Sequence, residues 1–489
     1  MKKYALWTVY CVMFLGFLFK MFYYREEIYY VPDEDAHISY IAYVEENQDK
    51  WIPEFENMRI CESVQYLEDG VCQYVLCNRT CYLGHPPLYY RLMRLVGGVV
   101  TVESDGQTYV YANLDRLKTA NIYLTALTMI LIFYIGYTRL GKLTDSPVWH
   151  GLYAAAVTSV PMLALCGSGI TNDNLANMGV AVFMLGVLRY HEKKKGYLTY
   201  FLVAIGFFLS IMSKLTVGEF VVIMLVAILI ADIIKNKNLG LIWNKYFLVT
   251  LPVYLIAAGY FMVILVRYGS LQPGLDVVAP SEQTFVAEAE RANMNFISYI
   301  PYFFSQFSYT WTGIYNGRFF DLKMTDIWEG RIFTWILAAP FVFAAAAGIK
   351  CLKAAKQKDK NQMVSRYDIM YMAVAIGLFV TIATQLMKGY ESFTTRGYTG
   401  GFQARYYLCD IPFMALAMTE GMYFLSKLSV EKVLAWCRGR LPLGNKLQTV
   451  KLEDCQKTYI CIINVLGIIF IFWLIYGDFI YFLTTHSAY

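Results

Sequence analysis

The sequence predicts an all-α, polytopic membrane protein with about 11 transmembrane helices and a large extracytoplasmic first loop. Three observations carry this expectation. Hydrophobic residues fill 57% of the 489 positions and charged residues only 16%, against about 25% charged in soluble domains. Mean hydropathy is +0.42. Apolar windows of about 20 residues, long enough to cross a bilayer, recur along most of the chain. Residues 1–489 therefore read as one integral membrane domain, in contact with lipid along most of its length. The net charge of +5 is informative only through its placement. With no basic stripe and no recognition module, no nucleic-acid partner is expected.

The first window covers 4–24. Lys2 and Lys3 give it the look of a signal peptide. It is longer than a typical h-region, however, and Phe19-Lys20-Met21-Phe22 offers no small-residue cleavage site, so it reads as an uncleaved span. A polar segment, 25–114, follows. Further windows lie near 117–138, 147–167, 172–190, 197–213, 215–234, 245–267, 331–349, 369–388, 404–425 and 458–482. Placing Lys2 and Lys3 in the cytoplasm puts the lysine-rich loops inside, as the positive-inside rule requires. Those loops are Arg139 to Lys142, Arg189 to Lys195, Lys235 to Lys237, Lys350 to Arg366 and Lys427 to Lys457. The loops 25–114, 168–171, 214, 268–330 and 389–403 then face outwards, with the N-terminus cytoplasmic and the C-terminus extracytoplasmic.

Two helices are expected inside the first loop. His85 to Val96 is apolar, but Arg91 and Arg94 share one helical face, which suits a helix lying at the interface. A span there would put the basic loops outside. The other helix starts at Pro32 or Asp33 and carries Ile38, Ile41, Ala42 and Val44 at helical spacing. The loop 268–330 holds an amphipathic stretch at 281–296 and an aromatic stretch from Tyr299 to Tyr315. Of the 11 cysteines, four, Cys61, Cys72, Cys77 and Cys81, fall in the first loop. On an outward loop they suggest two disulfides with undetermined pairing. A zinc site is the alternative, since Cys77 and Cys81 are four apart.

Five motifs carry chemistry. Asp33-Glu34-Asp35-Ala36-His37 sets three carboxylates and an imidazole just after a span, where charge is costly unless paired, wet or working. On a helix, Asp33 and Glu34 can share a face with His37. They could act as a general base on an acceptor hydroxyl or hold a divalent cation. An acidic first turn on a surface helix is the plainer reading. Gly84-His85-Pro86-Pro87 is a helix start whose His85 could touch a phosphate or simply be solvated. In Thr171-Asn172-Asp173-Asn174, Asp173 either complements a helix dipole or binds substrate. Lys214, in a break between two windows, is either an anion ligand or a snorkelling lysine. In Gly400-Gly401-Phe402-Gln403-Ala404-Arg405-Tyr406-Tyr407, Arg405 suits a phosphate or an interfacial anchor. All five fall on the side assigned as outer.

Pro32-Asp33-Glu34 opening an outer-loop helix, then His85-Pro86-Pro87-Leu88, then Asp173 at a span start, resembles the GT-C membrane glycosyltransferases. Within them the likeness is to the protein O-mannosyltransferases and the lipid A aminoarabinose transferases. Pro-Asp-Glu-x-Ala-His and Gln403-Ala404-Arg405-Tyr406 are similar to a group of allied bacterial membrane proteins. The resemblance implies a GT-C-like fold and a polyprenyl-phosphate sugar donor. It further implies an extracytoplasmic acceptor (glycan, lipid or protein), inversion, and no required cofactor. It places the base on Asp33 with Glu34 beside it, the lipid phosphate on Lys214 and Arg405, and further substrate contacts on His37, His85, Asp173 and Tyr406. Asp35 and His37 stand where the family commonly has Arg-Tyr, which leaves a metal-assisted variant using Asp33, Glu34 and His37 open. A flippase for a lipid-linked sugar is the rival from another class, and a noncatalytic assembly subunit a third; the scarcity of mid-span charge and the outward cluster of motifs favour the enzyme.

Overall fold

The computed structural model describes residues 2–27, 31, 33–236, 239–283, 294–311, 366–397, 401–426, 452–476 and 478. The expected span at 331–349, the loop 312–330 and most of the stretch 281–296 lie outside these residues. So do Pro32, Gly400, Lys237 and nearly all of the loops at Lys350 to Arg366 and Lys427 to Lys457.

Helix α1 (Lys2–Glu27) leads into α2 (Glu34–Glu46). Strands β1 (Arg59–Tyr66) and β2 (Val71–Thr80) follow, then α3 (Leu88–Val96) and strands β3 (Val99–Ser104) and β4 (Gln107–Asn113). The bundle continues with α4 (Leu114–Leu140), α5 (Pro147–Thr158), α6 (Pro161–Ser168), α7 (Asp173–His191), α8 (Tyr197–Ile211), α9 (Leu215–Asn236) and α10 (Lys245–Tyr268). Beyond it come the single turn α11 (Leu275–Val278), then α12 (Phe296–Thr310), α13 (Arg366–Arg396), α14 (Ile411–Ser426) and α15 (Leu452–Ile475). Among the described residues six helices are long and apolar enough to cross a membrane, or seven if the α5–α6 pair, bent by 54°, counts as one. The chain is a multi-pass membrane protein. The 147–167 window is thus a broken helix, interrupted where Val160 precedes Pro161, because a residue before proline is pushed out of the helical region. The 404–425 window begins as a 3₁₀ turn, Ala404–Asp410, and becomes α-helical only at Ile411.

The expectation of an all-α chain is corrected by a four-stranded antiparallel sheet, ordered β1-β2-β4-β3, within the first loop. Asp105 and Gly106, with φ of 52° and 74°, turn β3 into β4. Asp-Gly is the residue pair that a tight hairpin with two left-handed positions demands. The buried side chains Cys72, Tyr74, Val110 and Ala112 join Ile38, Tyr40, Ile41, Tyr89, Tyr90 and Met93 in a core of their own. That core reaches Leu117 of α4, Ile211 of α8 and Tyr260 of α10. Helices α2 and α3 are packed between the sheet and the bundle, with Tyr40 and Tyr90 stacked at 3.6 Å.

The disulfide expectation is also corrected: Cys61, Cys72, Cys77 and Cys81 are free thiols. The register explains it. Cys61 pairs with Leu76, and Cys72 lies across from Tyr66 and Ala112, so no two cysteines face each other across the sheet. Burial pushes the Cys61 and Cys81 thiols up to about 12, so they stay protonated and inert. Nor does the zinc alternative hold: no group of three or more His, Cys, Asp or Glu side chains that could hold a metal ion occurs among the described residues.

The bundle packs through small residues. A Cβ on Gly179 would fall 2.6 Å from Ser210, and one on Gly206 would fall 2.3 Å from Phe183. Glycine thus lets α7 and α8 approach closely, as helices in lipid commonly do. Helix α12, in the stretch expected as an outer loop, buries Tyr299, Phe303 and Phe307, followed by Trp311, in the main core. A buried ion pair, Lys20 to Asp478 at 2.5 Å, ties α1 to a position three residues beyond α15, with Lys20 also donating to the Thr158 carbonyl at 2.8 Å.

Candidate functional site

The site starts from one backbone angle. Asp33 sits in front of α2 with φ 64° and ψ 15°, in the left-handed region. That costs a non-glycine residue about 1–2 kcal/mol, and aspartate is among the side chains that tolerate it best. The carboxylate makes no cap bond to its own helix. It accepts from the Tyr82 hydroxyl at 2.6 Å and from the Arg405 guanidinium, 372 residues away in sequence. Burial alone would raise the Asp33 carboxyl. The Arg405 charge and the Tyr82 and Arg405 hydrogen bonds outweigh it and hold the group well below the usual carboxylate range.

Arg405 stands on the 3₁₀ turn, which is anchored by Ala404 N donating to the Thr310 hydroxyl at 2.7 Å. Its neighbour Tyr406 presents its ring to two cations, Arg405 at 5.5 Å and Lys214 at 4.7 Å from the centroid. Lys214 occupies the break between α8 and α9 and pairs with Asp173, at the start of α7, at 2.5 Å. The Thr171 hydroxyl donates to the other Asp173 oxygen at 3.0 Å, and Asn172 Nδ2 donates to the Ser213 carbonyl at 2.8 Å, locking the two breaks together. Two carboxylates and two cations therefore surround one aromatic ring. Lys214 and Asp173 are almost wholly buried and Asp33 is partly open.

The two histidines flank this group. His37 is buried, bonds Tyr90 through Nδ1 at 3.0 Å and stacks on its ring. Burial lowers its pKa to about 3, the Arg405 charge adding to the effect against the opposing pull of Asp33. His85 Nδ1 accepts from Gln272 Nε2 at 3.2 Å, and its carbonyl accepts from the Tyr40 hydroxyl at 2.8 Å. Burial, then Lys214 and His37, lower His85 to about 3. Both rings are neutral at neutral pH. They offer hydrogen bonds, not charge.

Glu34 is set apart from Asp33. Its carboxylate turns into the protein, accepts from the Ile170 amide at 3.1 Å and faces Lys118 at 3.5 Å. Burial raises its pKa against the pull of Lys118. Asp35 is pushed up to about 6 by burial and by the Glu34 charge. Asp33, Glu34 and His37 do not form a three-ligand group, because the left-handed backbone at Asp33 sends its carboxylate to Arg405 while that of Glu34 turns to Lys118. The structure thus brings Asp33, Asp173, Lys214, Arg405 and Tyr406 together, with His37 and His85 beside them. Sequence reasoning gives no hint of Tyr82, Gln272 or Lys118.

Gly84 shows how tightly the neighbouring loop is fitted. A Cβ there would lie 2.0 Å from the Pro273 carbonyl oxygen, and backbone cannot yield as a flexible side chain can. Gly84→Ala is expected to destabilise the protein by about 1–3 kcal/mol and to pull Gln272 away from His85. Thermal melts in detergent check this, and an unchanged melting temperature rejects it.

Fold and site together define a class: a multi-pass, mostly helical membrane protein with a paired-cation site at one end of its bundle and a small sheet packed on α2. Two solved structures are similar to it. One is ArnT from Cupriavidus metallidurans bound to undecaprenyl phosphate, with a TM-score of 0.47 and 11% identity, covering 98% of this chain and 77% of that chain. The other is the same protein in the apo state, with a TM-score of 0.46 and 10% identity over the same shares. No protein-family model and no curated protein matches the chain. A likeness in shape this loose leaves the chemistry to the residues themselves.

Proposed function

We propose that this protein is a GT-C-type, inverting glycosyltransferase. It moves a sugar from a polyprenyl-phosphate donor to a glycan, lipid or protein acceptor on the extracytoplasmic face of the cell membrane. The orientation that goes with this reading has the N-terminus inside and the site outside. The observation that carries it is the pair of cations, Lys214 and Arg405, on one tyrosine ring, each held by a carboxylate.

The donor's phosphodiester is a monoanion that such a pair can hold, and its phosphate gains a second negative charge only as the sugar leaves. As it enters, it takes Arg405 from Asp33 and shares Lys214 with Asp173. Tyr406 and the neutral rings of His37 and His85 line its approach. Asp33, released from its partner, regains basicity and accepts the proton of the acceptor hydroxyl. The acceptor oxygen bonds to the anomeric carbon as the bond from that carbon to the phosphate oxygen breaks. The polyprenyl phosphate leaves with its charge met by Arg405 and Lys214. These fixed cations, not a divalent ion, neutralise the leaving group in this reading. Glu34 holds the loop before α7 in place.

The test uses the full-length protein in vesicles with polyprenyl-phosphate-linked sugars carrying a labelled sugar. The expected result is acceptor-dependent transfer of label with release of polyprenyl phosphate. Movement of intact donor across the bilayer without cleavage would overturn the reading in favour of a flippase.

A further inference from the structure

At the other end of the bundle the chain encloses a second site. Lys118 and Arg139 lie near opposite ends of α4, roughly 30 Å apart at 1.5 Å of rise per residue, which is about the thickness of a bilayer core. Around Arg139 is a cavity of about 360 Å³. Arg139, Lys142, Arg189 and Lys194 line it, with Asp145 on its rim. Glu192 is the other carboxylate nearby. It is nearly enclosed and pairs with Arg139, Lys142 and, at 3.2 Å, Lys194. Among the described residues, four cations thus face two carboxylates, an excess of two positive charges. Arg189 stands outside the Glu192 cluster, its Nε donating to the Thr199 hydroxyl at 3.4 Å. Burial, with Arg139 and Lys194 adding to it, lowers the pKa of Lys142, as expected of crowded cations.

The remaining wall is apolar. Leu6, Tyr134 and Tyr137 close the side formed by α1 and α4. Tyr134, Tyr4 and Trp7 are exposed on the outer surface there, and Trp7 packs on Tyr137 at 5.2 Å. Such aromatic side chains mark the level of lipid headgroups. The cavity is therefore cationic at its end and greasy towards the lipid.

The geometry points to an anionic-phospholipid site: the headgroup phosphate sits among Arg139, Lys142, Arg189 and Lys194, and the acyl chains run along α1 and α4. The charge excess repels a second cation, so a zwitterionic lipid fits poorly. A free phosphate would leave the apolar wall unused. Basic pockets between spans are a known form of headgroup recognition. The site is separate from the transferase chemistry proposed above and stands without it.

The test is native mass spectrometry of the full-length protein, delipidated and titrated with phosphatidylglycerol or phosphatidylcholine. Phosphatidylglycerol is expected to bind preferentially. Each neutralised cation should weaken it about fivefold, so Arg189→Gln with Lys194→Gln weakens it roughly 25-fold. Arg189→Lys with Lys194→Arg keeps the charge and is expected to keep binding, which separates lost charge from lost folding. Equal binding of both lipids, or undiminished binding by the double glutamine variant, overturns the site. An equal effect of inorganic phosphate alone on the melting temperature overturns the lipid as its ligand.

Discussion

Asp33→Asn is expected to lower the proposed sugar transfer by about 10²–10⁴-fold, the usual contribution of a general base, while donor binding holds or tightens. Asparagine keeps the shape, tolerates the left-handed backbone and still accepts from Tyr82. It no longer competes with the donor phosphate for Arg405, so KM for the donor is expected to fall or stay level as kcat drops. Asp33→Glu keeps the charge but moves it and strains the backbone, giving an intermediate loss. The pH profile gives a second readout. In the free protein Arg405 and Tyr82 hold Asp33 well below the usual range, so the acid limb of kcat/KM lies low. With phosphate on Arg405 that depression is relieved, and the acid limb of kcat shifts to higher pH. Steady-state kinetics across pH check both, and full activity in Asp33→Asn removes Asp33 as the base.

Lys214→Met has the largest expected effect on stability. Asp173 is completely buried, and without the ammonium its charge has no full counterpart. Removing one partner of such a pair costs about 3–5 kcal/mol. Lys214→Met with Asp173→Asn removes both charges and is expected to restore most of the melting temperature without restoring transfer. Recovered transfer in the double variant would reduce the pair to a structural brace.

The spans and the membership of the site were readable because lipid imposes a simple rule. Window length finds α1, α4, α9 and α10 to within a few residues, and charges at window ends stand out against an apolar background. That background exposed Asp33, Asp173, Lys214 and Arg405. Window length is blind to the sheet, since a strand of six residues never fills a span-sized window. The hairpin was still written locally, in β-branched Val99 to Val102, Asp105-Gly106, and Thr108 to Val110. Which residues pair was not legible. Asp33 meets Arg405 across 372 positions, and no local pattern encodes that contact. Nor could spacing tell Asp33 from Glu34. A positive φ at Asp33 separates them, turning one carboxylate to the site and the other to Lys118.

The Lys20–Asp478 pair bears on how the protein is made. Lys20 arrives with the first span, and its carboxylate is synthesised 458 residues later. At about 5–20 residues per second, the ammonium waits on the order of tens of seconds. The Thr158 carbonyl, which also accepts from it, is available much sooner and serves as an interim partner. Until α15 docks, the nascent protein holds a cation that is hydrogen-bonded but whose charge Asp478 does not yet balance. Docking of α15 is thereby recorded inside the membrane, as a charge that the arrival of Asp478 quenches.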